Sequence, residues 1–188
     1  ILGTSLGGLM AMIMASQQAE RVRAVILNDV GPEADPIGYA RILATFDEQF
    51  EVKNWQQAIL HCKRSYESAF PDMPDEFWQV FVHKNYREGA DGRPELECDP
   101  TIGEAIRKGD LSRIAGIQVE PWAAFKAVTM PCLVLRGELS DILSAEIVER
   151  MAEVKADLSS AVIPGRGHAP LLYEPESLTA IDRFLKQI

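Results

Sequence analysis

Cysteine and positive charge are both scarce in this 188-residue chain. Cys62, Cys98 and Cys132 are an odd number without metal-ligand spacing. That argues against a disulfide framework and for a reducing compartment, the cytoplasm. Nineteen Lys and Arg face 28 Asp and Glu, for a formal net charge of −9. An acidic surface is repelled by nucleic-acid phosphates and by anionic lipid, so neither nucleic acid nor membrane is expected as a partner. No apolar run is long enough to span a bilayer, and no signal-like stretch opens the chain. No His/Asp/Glu cluster has ligand spacing, so no metal is expected. The glycines from Gly3 to Gly8 lack the Lys-Ser/Thr that a phosphate-binding loop needs. No cofactor is expected.

What remains is a globular composition, 47% hydrophobic and 25% charged, enough for one domain or one with an inserted subdomain. Leu9 to Ala15 is apolar on every face and reads as a helix buried all round. Val22 to Asn28 follows as a strand buried on both faces and stops at Asp29-Val30-Gly31-Pro32. The texture then turns helical. Asp35-Pro36 caps a helix expected to reach about Phe50. Trp55, Ile59, Cys62, Tyr66 and Phe70 form the stripe of a second helix, and Phe77, Trp78, Phe81, Val82 and Tyr86 that of a third. Asp91-Gly92 marks a turn, and Asp99-Pro100 opens a further short helix. Strand texture returns at Cys132–Arg136. A helix follows over Ser144–Val154, then a short strand at Ala161–Ile163 and a last helix from Pro175. Alternating strands and helices predict a parallel α/β sheet. The organisation is a core at 1–32, a helical insertion at 33–121 and core again at 122–188.

Gly3-Thr4-Ser5-Leu6-Gly7 fits G-x-S-x-G, a serine on a sharp strand-to-helix turn. The expected reason for the glycines is steric: side chains two residues either side of the serine would collide. A serine hydroxyl needs a base, and the base needs an acid that fixes its tautomer. His61 and His83 fall within insertion helices and read as packed or solvated. His168 follows a strand in the glycine-flanked loop Pro164-Gly165-Arg166-Gly167-His168, where active-site residues of parallel sheets sit. For the acid, Asp141 in Arg136-Gly137-Glu138-Leu139-Ser140-Asp141 is favoured. Asp29 is the rival, with the local alternative of satisfying turn amides, and Glu138 a weaker one.

These residues together resemble the α/β-hydrolase superfamily, whose triad runs in the order Ser, acid, His. The resemblance implies Ser5, Asp141 and His168 as catalytic residues and the Leu6 N–H as an oxyanion donor. It identifies the chain as the C-terminal part of an α/β-hydrolase sheet, strands six to eight, with a helical cap inserted after Asn28-Asp29-Val30-Gly31-Pro32. Ile1-Leu2 would be the tail of strand five. Strands one to four and the second oxyanion donor would lie upstream, and strand six would present an apolar edge. The implied activity is hydrolysis of an ester-like or lactone bond in a small, mostly apolar molecule. Carbon–carbon bond hydrolysis, perhydrolysis and acyl transfer stay open, as does an inactive fragment or binding module. Ser5 disfavours dehalogenases and epoxide hydrolases, which use aspartate. The aromatics Trp55, Tyr66, Phe77, Trp78 and Phe81 either line an acyl pocket or form the core of the cap.

Overall fold

The computed structural model describes residues 1–47, 52–97, 99, 101–102, 104 and 120–188. The chain runs β1 (Leu2–Thr4), α1 (Leu6–Gln17), β2 (Val25–Asn28), α2 (Pro36–Asp47), α3 (Trp55–Tyr66), α4 (Asp75–Val82), β3 (Tyr86–Glu88), β4 (Pro94–Leu96), α5 (Pro121–Lys126), β5 (Cys132–Gly137), α6 (Ala145–Val154), β6 (Ser159–Ile163) and α7 (Pro175–Leu185). A parallel sheet has the order β1-β2-β5-β6, with registers such as Gly3↔Leu27, Leu27↔Val134 and Leu135↔Ala161.

Side chains alternate across the two central strands, as the pleat requires. Val25, Leu27, Cys132 and Val134 face a cluster with Ala11, Met12, Phe125, Leu143 and Met151, contributed by α1, α5, α6 and the loop before α6. Ile26, Leu133 and Leu135 face the other way, against Ile163 and Phe184 of α7. Both faces of the sheet are thereby covered, which explains the unbroken apolar run in β2. Two expectations shift. Met14 of α1 is 50% exposed, so the helix is not sealed all round. The sheet edge is β1, with Leu2 46% exposed, because Leu2–Thr4 pairs with β2 and covers it.

A third cluster lies between β2 and β5 in sequence. Ala58, Cys62, Phe70, Trp78, Val82 and Tyr86 are buried together, with Trp55, Ile59, Phe77 and Phe81 packed against them. Phe77 and Phe81 meet Trp78 edge-on at 5.1 and 5.8 Å between ring centroids, a favoured geometry for aromatic pairs. The helix expected to carry Tyr86 ends at Val82. Tyr86 instead starts a hairpin, paired with Leu96 and turning at Asp91-Gly92, where Gly92 has φ 77°. The far end of the helix expected to reach Phe50, together with Cys98 and Pro100, lies outside the described residues.

Candidate active site

β1 passes into α1 through Ser5, which has φ 51° and ψ −123°. A non-glycine residue with positive φ is strained, and the surroundings must hold it there. The Ser5 N–H donates to the Asn28 carbonyl (3.2 Å), and the Ser5 carbonyl accepts from the Gly8 and Leu9 N–H groups (2.8 and 3.1 Å). The glycines that make this turn possible are Gly3 and Gly8. A Cβ on Gly3 would lie 2.6 Å from the Gly8 Cα, and one on Gly8 would strike Val30 and lie 2.9 Å from the Gly3 carbonyl oxygen. Gly7 is different: a Cβ there meets nothing within 4 Å. The expected steric role of the second motif glycine therefore belongs to its neighbour.

His168 stands 2.9 Å from Ser5, measured from Nε2 to Oγ. Its other nitrogen, Nδ1, lies 2.8 Å from Oδ2 of Asp29. Asp29 is fully buried just past β2, with φ 54°, and its N–H donates to the Leu135 carbonyl. Its carboxylate also accepts the Gly137 N–H (2.7 Å) and the Ser140 hydroxyl (2.6 Å). The local turn-amide role considered for Asp29 is thus replaced by long-range bonds.

Asp141, the expected acid, does not meet His168 in a hydrogen bond. It is held by Arg41 of α2, through Nε at 2.5 Å and Nη2 at 2.9 Å, and that guanidinium keeps its carboxyl below the usual range. Glu138 accepts the Gly165 N–H at 2.8 Å. The physical reason lies at Gly137. A Cβ there would stand 2.5 Å from the Arg166 and Gly167 carbonyl oxygens, so the β6 loop runs directly across the end of β5. That crossing carries His168 to the end of β2, beside Ser5, while Asp141 turns away toward α2.

Further bonds fix the loop. Asn28 donates through Nδ2 to the Pro170 carbonyl (2.9 Å) and to the Thr4 hydroxyl (3.1 Å). The Gly167 N–H donates to the Ala69 carbonyl (2.9 Å), and Arg166 pairs with Asp72 (2.6 Å) and Glu174 (3.3 Å). His61 shares a 2.8 Å hydrogen bond with the Tyr86 hydroxyl, whose pKa burial pushes up to about 12. His83 packs on Trp55, with ring centroids 4.3 Å apart. Cys62 and Cys132 are free and buried, and burial pushes their thiols up to about 11 and 12. Among the described residues no group of three or more His, Cys, Asp and Glu could hold a metal ion. None of their helices is long and apolar enough to cross a membrane.

A hydroxyl, an imidazole and a buried carboxylate in sequence can move a proton from the first to the second while the third stabilises the resulting cation. The model of a family described as the alpha/beta hydrolase family matches residues 1–180. The chain belongs to the alpha/beta hydrolase family. The 3-hydroxybutyrate-oligomer hydrolase of Cupriavidus necator is 31% identical over 185 residues, covering 97% of this chain and 63% of that protein. The 2-(acetamidomethylene)succinate hydrolase of Mesorhizobium japonicum is 26% identical, covering 98% and 63%. Among solved structures, an alpha/beta hydrolase from Novosphingobium aromaticivorans is 37% identical with a TM-score of 0.85, covering all of this chain and 65% of that one. The chain therefore spans less than two thirds of each of these alpha/beta hydrolases.

Two cavities meet at Ser5 in this alpha/beta hydrolase chain. One, of about 230 Å³, is walled mainly by Leu6, Leu9, Val30, Pro32, Ile42 and Ile142. The other, of about 510 Å³, is bordered by His168, Arg41, His61, Tyr66, Lys84 and Tyr86, among others. Of the aromatics weighed as pocket lining, Tyr66 borders the larger cavity, whereas Trp55, Phe77, Trp78 and Phe81 belong to the aromatic cluster. Leu6 is the first residue of α1, where a backbone N–H has no acceptor within the helix.

Proposed function

We propose that this chain carries the catalytic residues of a serine hydrolase that cleaves a carboxylic ester of a small molecule. The observation that carries the proposal is the unbroken relay from Ser5 through His168 to Asp29. Ser5 Oγ attacks the carbonyl carbon as its proton passes to His168 Nε2. Asp29 orients the ring and stabilises the imidazolium. The tetrahedral oxyanion faces the Leu6 N–H, at the positive end of α1. Collapse breaks the ester C–O bond, and His168 returns its proton to the departing alcohol oxygen. Water, deprotonated by His168, then releases the acid from Ser5.

Residues 33–121 are read as a cap over this site, supported by the placement of Arg41, His61, Tyr66, Lys84 and Tyr86 around the larger cavity. The name of the C. necator relative, a hydrolase of 3-hydroxybutyrate oligomers, favours an ester as the bond attacked. A fluorophosphonate probe should form a covalent adduct on Ser5 of the folded chain. Mass spectrometry should find no adduct in Ser5→Ala and labelling slowed on the order of 10³-fold in His168→Ala. A folded chain that the probe leaves unlabelled at Ser5 overturns the proposal.

A further inference from the structure

Two cavities meet at Ser5, and the relay decides which half of an ester each receives. The departing alcohol must take a proton from His168 Nε2, so it leaves on the side where His168 forms the wall. That side is the larger cavity. The smaller cavity, walled mainly by Leu6, Leu9, Val30, Ile42 and Ile142, is left for the acyl group. Among the described residues only Ser5 and Ile42 border both cavities. Ser5 is where the bond breaks. Ile42 is therefore the side chain that stands where the two halves diverge.

The loop after β5 holds α2, and with it Ile42, in place. Just before α2, the Asp35 N–H donates to the Ile142 carbonyl at 2.9 Å. A Cβ on Gly38 would strike the Asp141 carbonyl, so the backbones of helix and loop touch there. Arg41 grips the Asp141 carboxylate through Nε and Nη2. Gly38 and Ile42 are four residues apart and share a helix face, so seating Gly38 against the loop turns Ile42 to the same side. A β-branched side chain has few rotamers in a helix, which makes Ile42 a stiff divider.

We propose that Ile42 is a specificity-determining residue: it separates the acyl subsite from the alcohol subsite at Ser5 and limits the width of the group accepted on each side. This rests on the hydrolase reading above and deepens it, by naming the side chain that sorts the two halves of the substrate.

Aryl N-alkylcarbamates test it in a single turnover. Ser5 Oγ bonds to the carbonyl carbon, the C–O bond to the aryl alcohol breaks, and the Ser5 proton passes through His168 to the departing oxygen. The carbamoyl group stays on Ser5. One series keeps 4-nitrophenol as the leaving group and compares N-butyl with the wider N-cyclohexylmethyl on the acyl half. The other keeps N-butyl and compares 4-nitrophenol with the wider 4-methylumbelliferone. Each preference is a ratio of labelling rates, read as its change between variants so that intrinsic reactivity cancels. Ile42→Ala should raise the ratio for the wider group about tenfold on the acyl half and about threefold on the alcohol half. Ile42→Val should move both ratios the same way by less. Ile142 borders only the smaller cavity and Leu96 only the larger, so Ile142→Ala should move the acyl ratio alone and Leu96→Ala the alcohol ratio alone. Circular dichroism checks that each variant is folded. Ratios that stay put in Ile42→Ala, or shift on one half only, overturn the inference. An alcohol ratio moved by Ile142→Ala overturns the assignment of halves. A folded, unsubstituted chain that no carbamate labels at Ser5 overturns the hydrolase reading itself, a result distinct from labelling with unmoved ratios.

Discussion

A single carboxylate at position 29 accepts three hydrogen bonds, from the Gly137 N–H, the Ser140 hydroxyl and His168 Nδ1, with no exposure to solvent. Burying a polar group is costly unless it is hydrogen-bonded, and these three contacts meet that need at Asp29. Replacing it with Asn keeps the shape but offers an amide where an acceptor is required. On the proposed mechanism, Asp29→Asn should lower the rate of ester hydrolysis on the order of 10⁴-fold, as loss of a triad carboxylate does through the wrong histidine tautomer. Asp141→Asn removes only the Arg41 partner and should cost less than about tenfold in kcat, since a partly exposed ion pair contributes little. Ester kinetics on the two variants decide between them, and the reverse order would restore Asp141 as the acid. The sequence offered both residues just past strands, but the crossing at Gly137 that selects Asp29 involves carbonyls 29 and 30 residues downstream. No local pattern encodes that meeting.

At the scale of elements, the turn from β1 into α1 depends on close backbone approach. Gly8→Ala places a methyl against Val30 and the Gly3 carbonyl, an overpacking that costs about 1–3 kcal/mol. Gly7→Ala enters open space in the first turn of α1 and should add about 0.5 kcal/mol through helix propensity. Thermal unfolding should therefore fall by several degrees in Gly8→Ala, at roughly 2–4 °C per kcal/mol for a chain of this size, and hold or rise slightly in Gly7→Ala. A larger loss in Gly7→Ala would contradict this account of the turn. The helix stripes were legible because their 3.6-residue period is a local property. The hairpin of β3 and β4 was not, since each strand is three residues long and the aromatic spacing from Phe77 runs on to Tyr86.

Across the whole molecule, the segment between β2 and β5 is tied to the sheet by the Arg41–Asp141 pair, the Arg166–Asp72 pair and the bond from the Gly167 N–H to the Ala69 carbonyl. Asp141 and Asp72 both have depressed carboxyl pKa values, chiefly through hydrogen bonds from Arg41 and Arg166. A carboxylate whose folded pKa lies below its ordinary value stabilises the fold at pH above that ordinary value and stops doing so as pH falls through the depressed one. With an ordinary value of 3.8, these ties should be complete at pH 6 and fade in acid below about 3.8. Arg41→Met should therefore melt below the unsubstituted chain at pH 6, with the gap narrowing between pH 4 and pH 2. A gap that stays constant over that range would show that the pair contributes nothing to stability.

The sequence by itself determined the parallel sheet, the helices that cover it, the turn that presents Ser5 and the loop that carries His168. Each of these rests on local periodicity, on glycine placement or on the order of elements along the chain. Tertiary structure alone decided which carboxylate completes the relay, which glycine the turn requires and which of two cavities faces His168. Those outcomes depend on backbone segments that meet only after β2, β5 and β6 are laid side by side. Sequence distance gives no measure of such contacts, because the sheet brings Asp29 and His168, 139 residues apart, within one hydrogen bond.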